Sequence, residues 1–263
     1  MVKASVLERI GILGGFGRDG SAEPVRKIEF KMGQVASIVG ATGSGKTALI
    51  KDIELLANKN TPSSRTITLN GVVPPEEYCL APSDRLIALI TQHTNFLSDM
   101  RVDEFLTSHA SIRECGREAS IVDETLTFAN QLTGEPVDTA NAMTELSGGQ
   151  TRALMIADAV VIGESPIILL DEIENAGIDR TKALELLKLY KKIFIFVTHD
   201  PRITLLSDFR IIMKNGAMHK VIVTNEEEKR VVEHIETIDD LLLRLRARIR
   251  AGEVISEAHL KEK

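Results

Sequence analysis

The hydrophobic positions of this chain fall into short apolar runs, separated by stretches in which apolar residues recur every three or four positions. Four short runs, at residues 35–39, 86–91, 167–170 and 193–197, are typical of buried strands. Helical spacing follows the first run and also lies between the third and the fourth. This alternation predicts an α/β fold with a mostly parallel sheet and a ligand crevice at the strand C-termini.

The N-terminal part of the chain has a different pattern. Apolar residues up to position 13 and a second run at 25–30 have strand character, and residues 65–71 alternate and end on Asn-Gly. We therefore expect an N-terminal antiparallel β subdomain. Residues 14–20 are glycine-rich, and without a strand-to-helix context a hairpin connection is favoured over a second anion-binding loop.

The region at about 98–165 predicts an inserted helical subdomain. Residues 102–109, 121–132 and 153–162 have helical spacing, and β-branched runs disappear between positions 98 and 145. An α/β domain interrupted by such a helical unit is expected to span residues 1–224, with an appended helical segment at 225–263.

The appended segment predicts an amphipathic helix. Thr237 with Asp240 forms a plausible helix N-terminus, and the chain reaches Gly252 before the pattern ends. Either a solvated helix packed on the body or an element for docking or self-association is compatible with this pattern. The apolar positions are Ile238, Leu241, Leu242, Leu245 and Ile249.

Composition narrows the class of protein. A net charge of −6 argues against direct nucleic-acid binding over a broad surface. No run approaches the length of a membrane span, and the first residues lack a long apolar core, so a cytoplasmic protein is expected. The two cysteines, Cys79 and Cys115, lack the spacing of a metal site.

A glycine-rich stretch between the first strand and the helix after it has the pattern of a phosphate-binding loop. Glycines let the backbone turn its N–H groups inward, and the helix N-terminus adds partial positive charge. Lys46 is expected to reach the β- and γ-phosphates of a nucleoside triphosphate, and the Thr47 hydroxyl to ligate the Mg²⁺ that accompanies it. The predicted loop comprises Gly40, Ala41, Thr42, Gly43, Ser44, Gly45, Lys46 and Thr47.

With its other motifs, the chain resembles an ATP-binding cassette (ABC) ATPase over about residues 5–224. The pentapeptide Leu-Ser-Gly-Gly-Gln at 146–150 matches the family signature in full. The motifs that carry the resemblance, in chain order, are the phosphate loop, Gln92, the signature, Asp171-Glu172, Asp179 and His199.

The resemblance implies ATP hydrolysis between two cassettes, each phosphate loop facing the other's signature. Glu172 would orient or deprotonate the attacking water, and Asp171 would hold Mg²⁺ through water. Gln92 would sense the γ-phosphate and the metal, and His199 would contact the γ-phosphate. Asp179 would lie in the loop that crosses the dimer seam. The signature residues implied in γ-phosphate binding are Ser147, Gly148, Gly149 and Gln150.

Departures from the family pattern leave the partner open. Ile173 replaces the proline common in transporter cassettes, the crossing loop at 175–179 is atypical, and Asp158 replaces a common arginine. Only Phe16 is an aromatic candidate for stacking on adenine. The main hypothesis is the ATP-binding subunit of a membrane transporter, peripheral at the inner face of the membrane. The alternatives are a soluble ABC ATPase that remodels a client complex and a slow ATP-gated scaffold, each as a homodimer or a heterodimer.

Overall fold

The computed structural model describes residues 7–75, 86–91, 96, 98–113, 118–171 and 180–260. The strands, in chain order, are β1 (Arg9–Leu13), β2 (Lys27–Lys31), β3 (Val35–Val39), β4 (Thr66–Leu69), β5 (Ile87–Ile90), β6 (Ile167–Asp171), β7 (Ile193–Val197), β8 (Phe209–Lys214) and β9 (Ala217–Val223).

Seven α-helices are described. They are α1 (Lys46–Glu54), α2 (Val102–Ile112), α3 (Glu118–Leu132), α4 (Gly148–Val160), α5 (Arg180–Leu189), α6 (Pro201–Leu206) and α7 (Glu226–Arg250). Short 3₁₀ turns occupy Met143–Glu145 and Glu257–Leu260.

The larger sheet has six strands in the order β5-β6-β7-β3-β8-β9. The first five strands in that order run parallel, and only β9 pairs antiparallel, with β8. The predicted mostly parallel sheet is therefore confirmed. Because β3 lies between β7 and β8, the loop that leaves its C-terminus emerges in the middle of the sheet edge.

The smaller sheet is antiparallel, in the order β2-β1-β4, which confirms the expected N-terminal β subdomain. The glycine-rich stretch at 14–20 connects the paired strands β1 and β2, as a hairpin connection requires. An isolated bridge between Phe16 and Ala22 lies within that connection.

The central strands β3, β6 and β7 are buried on both faces, which explains their long apolar runs. Successive side chains of a strand point to opposite faces, so even and odd positions enter two different cores. One core lies against α2 to α5 and receives Ile168, Leu170, Phe194 and Phe196. The other lies against α1 and the smaller sheet and receives Ile167, Leu169, Ile193 and Ile195.

The helices α2, α3 and α4 lie between β5 and β6 in the chain, as expected for a helical insertion. The Nδ1 atom of His109 in α2 lies 2.6 Å from Oδ1 of Asp158 in α4. Asp158, which stands where the family commonly has arginine, therefore links α2 to α4 through His109.

The predicted start of the C-terminal helix at Thr237 is wrong. α7 begins at Glu226, where Asn225 caps it by accepting a hydrogen bond from the Glu228 N–H at 2.8 Å. The Glu228 carboxylate accepts from the Asn225 N–H at 3.3 Å, which completes a capping box. The helix cap therefore lies twelve residues earlier in the chain than the Thr237 motif suggested.

A lysine at the opposite end of the sheet from the phosphate loop is half-buried. Lys192 precedes β7 and donates a hydrogen bond from Nζ to the Val160 carbonyl oxygen at 2.7 Å, at the end of α4. Burial lowers the pKa of Lys192 to about 8, although the nearby Glu164 carboxylate acts in the opposite direction.

This burial predicts a pH-dependent stability. Between pH 8 and 10.5 the unfolded chain keeps the Lys192 proton while the folded chain releases it, so the free energy of unfolding rises with pH in this window. The rise should reach at most about 3 kcal/mol. Urea unfolding of the wild type and Lys192→Met at pH 7.5, 9 and 10 measures the difference. A difference between the two proteins that stays constant with pH would contradict the assignment.

Candidate functional site

The predicted phosphate loop connects β3 to α1. Gly45 is the N-cap of α1 and has a φ of 104°, and Gly43 has a φ of 77°. These left-handed conformations favour glycine, and they turn the chain directly into the helix. The first-turn N–H groups of α1 lack acceptors within the helix, so this end of α1 is suited to an anion.

Two polar side chains of the loop are held inside it. Lys46 is buried and donates hydrogen bonds from Nζ to the carbonyl oxygens of Gly40 at 2.8 Å and Ala41 at 3.3 Å. Ser44 Oγ is buried with no hydrogen-bond partner among the described residues. A buried hydroxyl without a partner is costly, and a phosphate oxygen would satisfy it. Thr47, by contrast, is exposed in the first turn of α1.

Two polar strand ends share the edge of the sheet at which this loop emerges. Asp171 ends β6 and pairs in register with Val197, which ends β7; Val197 in turn pairs with Ile38 of β3. His199 lies two residues beyond β7 and is exposed. The parallel strands therefore bring Asp171, His199 and the phosphate loop to one edge, as the sequence predicted.

The position of His199 is fixed by its neighbours. The Asp200 N–H donates to Thr198 Oγ1 at 2.9 Å, across the histidine. The Asp200 carboxylate caps α6 by accepting from the Arg202 N–H at 2.7 Å, and Pro201 occupies the first turn. The sequence analysis did not predict α6, although Asp followed by Pro is a recognisable helix start.

The signature residues form the N-terminus of α4. Ser147 is the N-cap, and its Oγ accepts from the Gln150 N–H at 3.3 Å while Gln150 Oε1 accepts from the Ser147 N–H at 2.9 Å. Gln150 also donates from Nε2 to the Pro136 carbonyl oxygen at 2.8 Å. Gln150 thus holds the turn, while Ser147 and Gly148 are exposed and Gly149 is half-buried.

The structure does not bring the signature to the phosphate loop. Among the described residues, no hydrogen bond joins positions 146–150 to positions 40–47. Ser147 and Gly148, at the N-terminus of α4, are exposed at the surface of the chain. The remaining predicted site residues, Gln92, Glu172 and Asp179, lie outside the described residues.

The turn between β8 and β9 supports the phosphate loop from behind. The Gly216 N–H donates to the Ser44 carbonyl oxygen at 2.8 Å. A Cβ atom added at Gly45 would lie 2.7 Å from the Gly216 Cα atom. This close contact, together with the positive φ of Gly45, explains why glycine is required there.

A buried cluster of charged residues holds that turn in place. Arg65 is fully buried and donates from Nη2 to the Gly216 carbonyl oxygen at 2.6 Å. Its guanidinium also binds Glu23, at 2.6 Å from Nη2, and Asp52 of α1, at 2.7 Å from Nη1. The cluster therefore connects α1, the 14–26 connection, β4 and the β8–β9 turn.

Each charged side chain of this cluster makes hydrogen bonds. Burial by itself would lower the pKa of Arg65, but the bonds and charges of Glu23 and Asp52 outweigh it and raise the pKa. Glu23 also accepts from the Gly15 N–H at 2.9 Å, and Asp52 accepts from Ser63 Oγ at 2.8 Å. The sequence analysis missed this cluster, because its members lie far apart in the chain and each resembles a surface charge.

Comparison with known proteins identifies the family. The family model described as "ABC transporter" matches residues 26–175. The chain is 51% identical over 247 residues to the uncharacterized ABC transporter ATP-binding protein MJ0121 of Methanocaldococcus jannaschii, covering 94% of each chain.

The chain belongs to the ABC transporter family. Its function is that of an ATP-binding subunit with ATPase activity. It is 28% identical over 181 residues to the methionine import ATP-binding protein MetN of Francisella tularensis subsp. holarctica, covering 66% of this chain and 50% of that protein.

The fold is shared with the dimeric post-hydrolysis structure of the ATP-binding cassette MJ0796 bound to ADP and Pi. The TM-score is 0.60 at 19% identity, and the match covers 82% of this chain and 99% of the other. Among the described helices, none has the length and apolar character needed to cross a membrane.

The buried cluster around Arg65 generates a stability prediction. Replacing Arg65 with Met leaves the Glu23 and Asp52 carboxylates buried without their cation, which should cost about 3–5 kcal/mol of unfolding free energy. Urea unfolding followed by circular dichroism measures this loss.

The matched control is Arg9→Met, which removes the exposed pair between Arg9 and Glu29, 3.9 Å apart. The control should cost less than about 1 kcal/mol. Equal losses in the two variants would show that the buried cluster is not a stabilising link.

Proposed function

We propose that this chain acts as an ATP-driven clamp, in which two cassettes close head to tail around ATP and move a membrane partner. Each ATP would lie between the phosphate loop of one cassette and the signature of the other. The observation that carries the proposal is the exposed N-terminus of α4 at Ser147 and Gly148, whose amide groups have no acceptor on the same chain's phosphate loop.

The phosphate loop supplies one half of each proposed site. Lys46 would exchange its two carbonyl acceptors for the β- and γ-phosphates, and Ser44 would gain the hydrogen-bond partner that it lacks among the described residues. Burial of the lysine strengthens its attraction for phosphate, because the local dielectric is low. The loop residues 40–47 thus form the nucleotide-binding half.

Magnesium would lie at the same edge. Mg²⁺ is usually held by one or two protein oxygens together with phosphate oxygens and water, so Thr47 and the half-buried Asp171 are a suitable set. The ion would supply charge neutralisation at the phosphates during the reaction. Gln92 is proposed as a further metal and γ-phosphate contact, from its place in the family motif.

The proposed catalytic residues follow Asp171 and β7 along this edge. Glu172 would orient or deprotonate the attacking water, and His199 would contact the γ-phosphate from the end of β7. The turn fixed by Thr198 and Asp200 supports this role, because it holds the His199 backbone at one position. Asp179 is proposed to lie at the seam between the cassettes.

The signature would complete the site across the seam. Ser147 and the N–H groups of Gly148 and Gly149 would donate to the γ-phosphate of the opposite cassette, while Gln150 keeps the helix turn intact. These donors contact the γ-phosphate only in the closed state of the two cassettes. ATP binding would therefore favour closure.

The proposed partner is a membrane permease, and its cargo remains to be identified. The family and the similarity to a methionine import subunit support a transporter over the soluble remodelling ATPase and the slow scaffold. Copurification in mild detergent should recover a membrane protein with this chain. Recovery of a soluble complex alone would favour the remodelling alternative.

Complementation between two inactive variants tests the head-to-tail arrangement. Lys46→Ala disables the phosphate loop, and Ser147→Arg blocks the signature. A mixed dimer carries one site with both defects and one intact site, because each site draws its two halves from different chains. Single-turnover ATP hydrolysis should be nearly lost in each variant alone and recover to about a quarter of the wild-type amount after equal mixing.

The control mixes Lys46→Ala with a chain carrying both substitutions, in which no intact phosphate loop remains. This mixture should stay inactive. Failure of the first mixture to recover would contradict a site shared between two chains.

A further inference from the structure

The helix α7 carries an apolar stripe longer than the sequence analysis predicted. Positions spaced alternately by four and three residues form a coiled-coil seam, because this spacing keeps them on one side of a helix. The stripe consists of Val231, Ile235, Ile238, Leu242, Leu245 and Ile249.

Four of the six stripe positions are exposed to solvent, and Ile235 and Leu245 are half-buried. Val231 is 45% exposed, Ile238 57%, Leu242 44% and Ile249 60%. Large apolar side chains scattered singly at a surface need no explanation, but an ordered row of them indicates a contact surface. Residue 241 lies beside the stripe and is half-buried.

A different side of α7 faces the body of the chain. Val232 is buried there, and Arg202 of α6 binds Asp239 at 2.8 Å from Nη1. Arg210 of β8 binds Glu228. These anchors hold the N-terminal part of α7 and leave the stripe, about a quarter turn away around the helix, uncovered.

The charges of α7 are divided along its length. Residues 226–240 contain seven carboxylates and two basic residues, whereas residues 241–250 contain four arginines and no acidic residue. In a parallel pair of such helices, like charges would lie side by side. In an antiparallel pair centred on residue 240, the four arginines of each helix lie at the level of residues 230–236 of the other, which include two carboxylates.

The stripe is also self-complementary in the antiparallel direction. The two helices can be aligned so that residue 240 of each copy lies at the same level. Val231 then lies opposite the partner subunit's Ile249, and Ile238 lies opposite the partner subunit's Leu242. Ile235 and Leu245 form the third pair, so all six positions are used.

We propose that α7 pairs antiparallel with α7 of a second copy of this chain, without nucleotide. The contact is isologous, with the same surface on both copies, and it therefore closes as a dimer. It would keep two cassettes together before ATP binds. Closure would then be a rearrangement within one dimer and would not require two separate chains to associate. The pairing does not depend on the proposed ATP-driven closure.

Disulfide cross-linking tests both the contact and its direction. The background is the full chain with Cys79→Ser and Cys115→Ser, which removes its two cysteines. Single Val231→Cys and Ile249→Cys proteins, one of them tagged, are oxidised without nucleotide, separately and as an equal mixture. We expect cross-linked dimers in the mixture, at least ten times more than in either protein alone, because like positions lie about 27 Å apart in an antiparallel pair.

A matched control uses Glu233→Cys and Ala247→Cys, which lie at equivalent levels on the opposite side of α7 and are exposed. This pair should not cross-link. Cross-linking of Val231→Cys with itself would indicate a parallel pair and overturn the proposal. Absence of cross-links in every sample would also overturn it and point to another partner, such as the permease, on the stripe.

Light scattering separates this contact from the ATP-dependent seam. The nucleotide-free wild type should change from monomer to dimer with concentration, and Leu242→Glu should stay monomeric while Asp240→Asn behaves like the wild type. A wild type that is monomeric at all concentrations without nucleotide would contradict the α7 contact and leave the ATP-driven closure standing.

Discussion

The phosphate loop depends on a buried cation that it never touches. Arg65 binds two carboxylates and the Gly216 carbonyl, and the N–H of that same glycine binds the loop at Ser44. Within the loop, Lys46 binds the carbonyl oxygens of Gly40 and Ala41. From behind, the loop is supported by a cluster whose desolvated charges leave little freedom in the placement of their partners.

The chain places its candidate site residues in two separate regions. The edge of the parallel sheet gathers Lys46, Asp171 and His199, whereas the N-terminus of α4 presents Ser147 on the helical insertion. An anion-binding loop alone holds a triphosphate on one side. The second side requires donors that this chain presents outward, and a second cassette supplies them in the proposed complex.

The sequence predicted the parts of the candidate site whose structure depends on residues close together in the chain. The strand, glycine turn and helix at 35–54 and the polar ends of β6 and β7 depend on short segments, and both were found as expected. The Arg65 cluster depends on Glu23 and Asp52, which only tertiary folding brings together. The start of α7 was misplaced because Asn225 and Thr237 are both sound caps, and only the anchoring of residues 228–239 on the body decides between them.

ATP is proposed to close two cassettes around itself. Size-exclusion chromatography with light scattering on Glu172→Gln tests this closure most directly, because this variant should bind ATP without consuming it. The Leu242→Glu substitution is added so that α7 cannot contribute to association. Mg-ATP should double the mass from the 28.9 kDa of one chain, and Mg-ADP should not. A protein that binds ATP and keeps the mass of one chain would contradict closure between two copies.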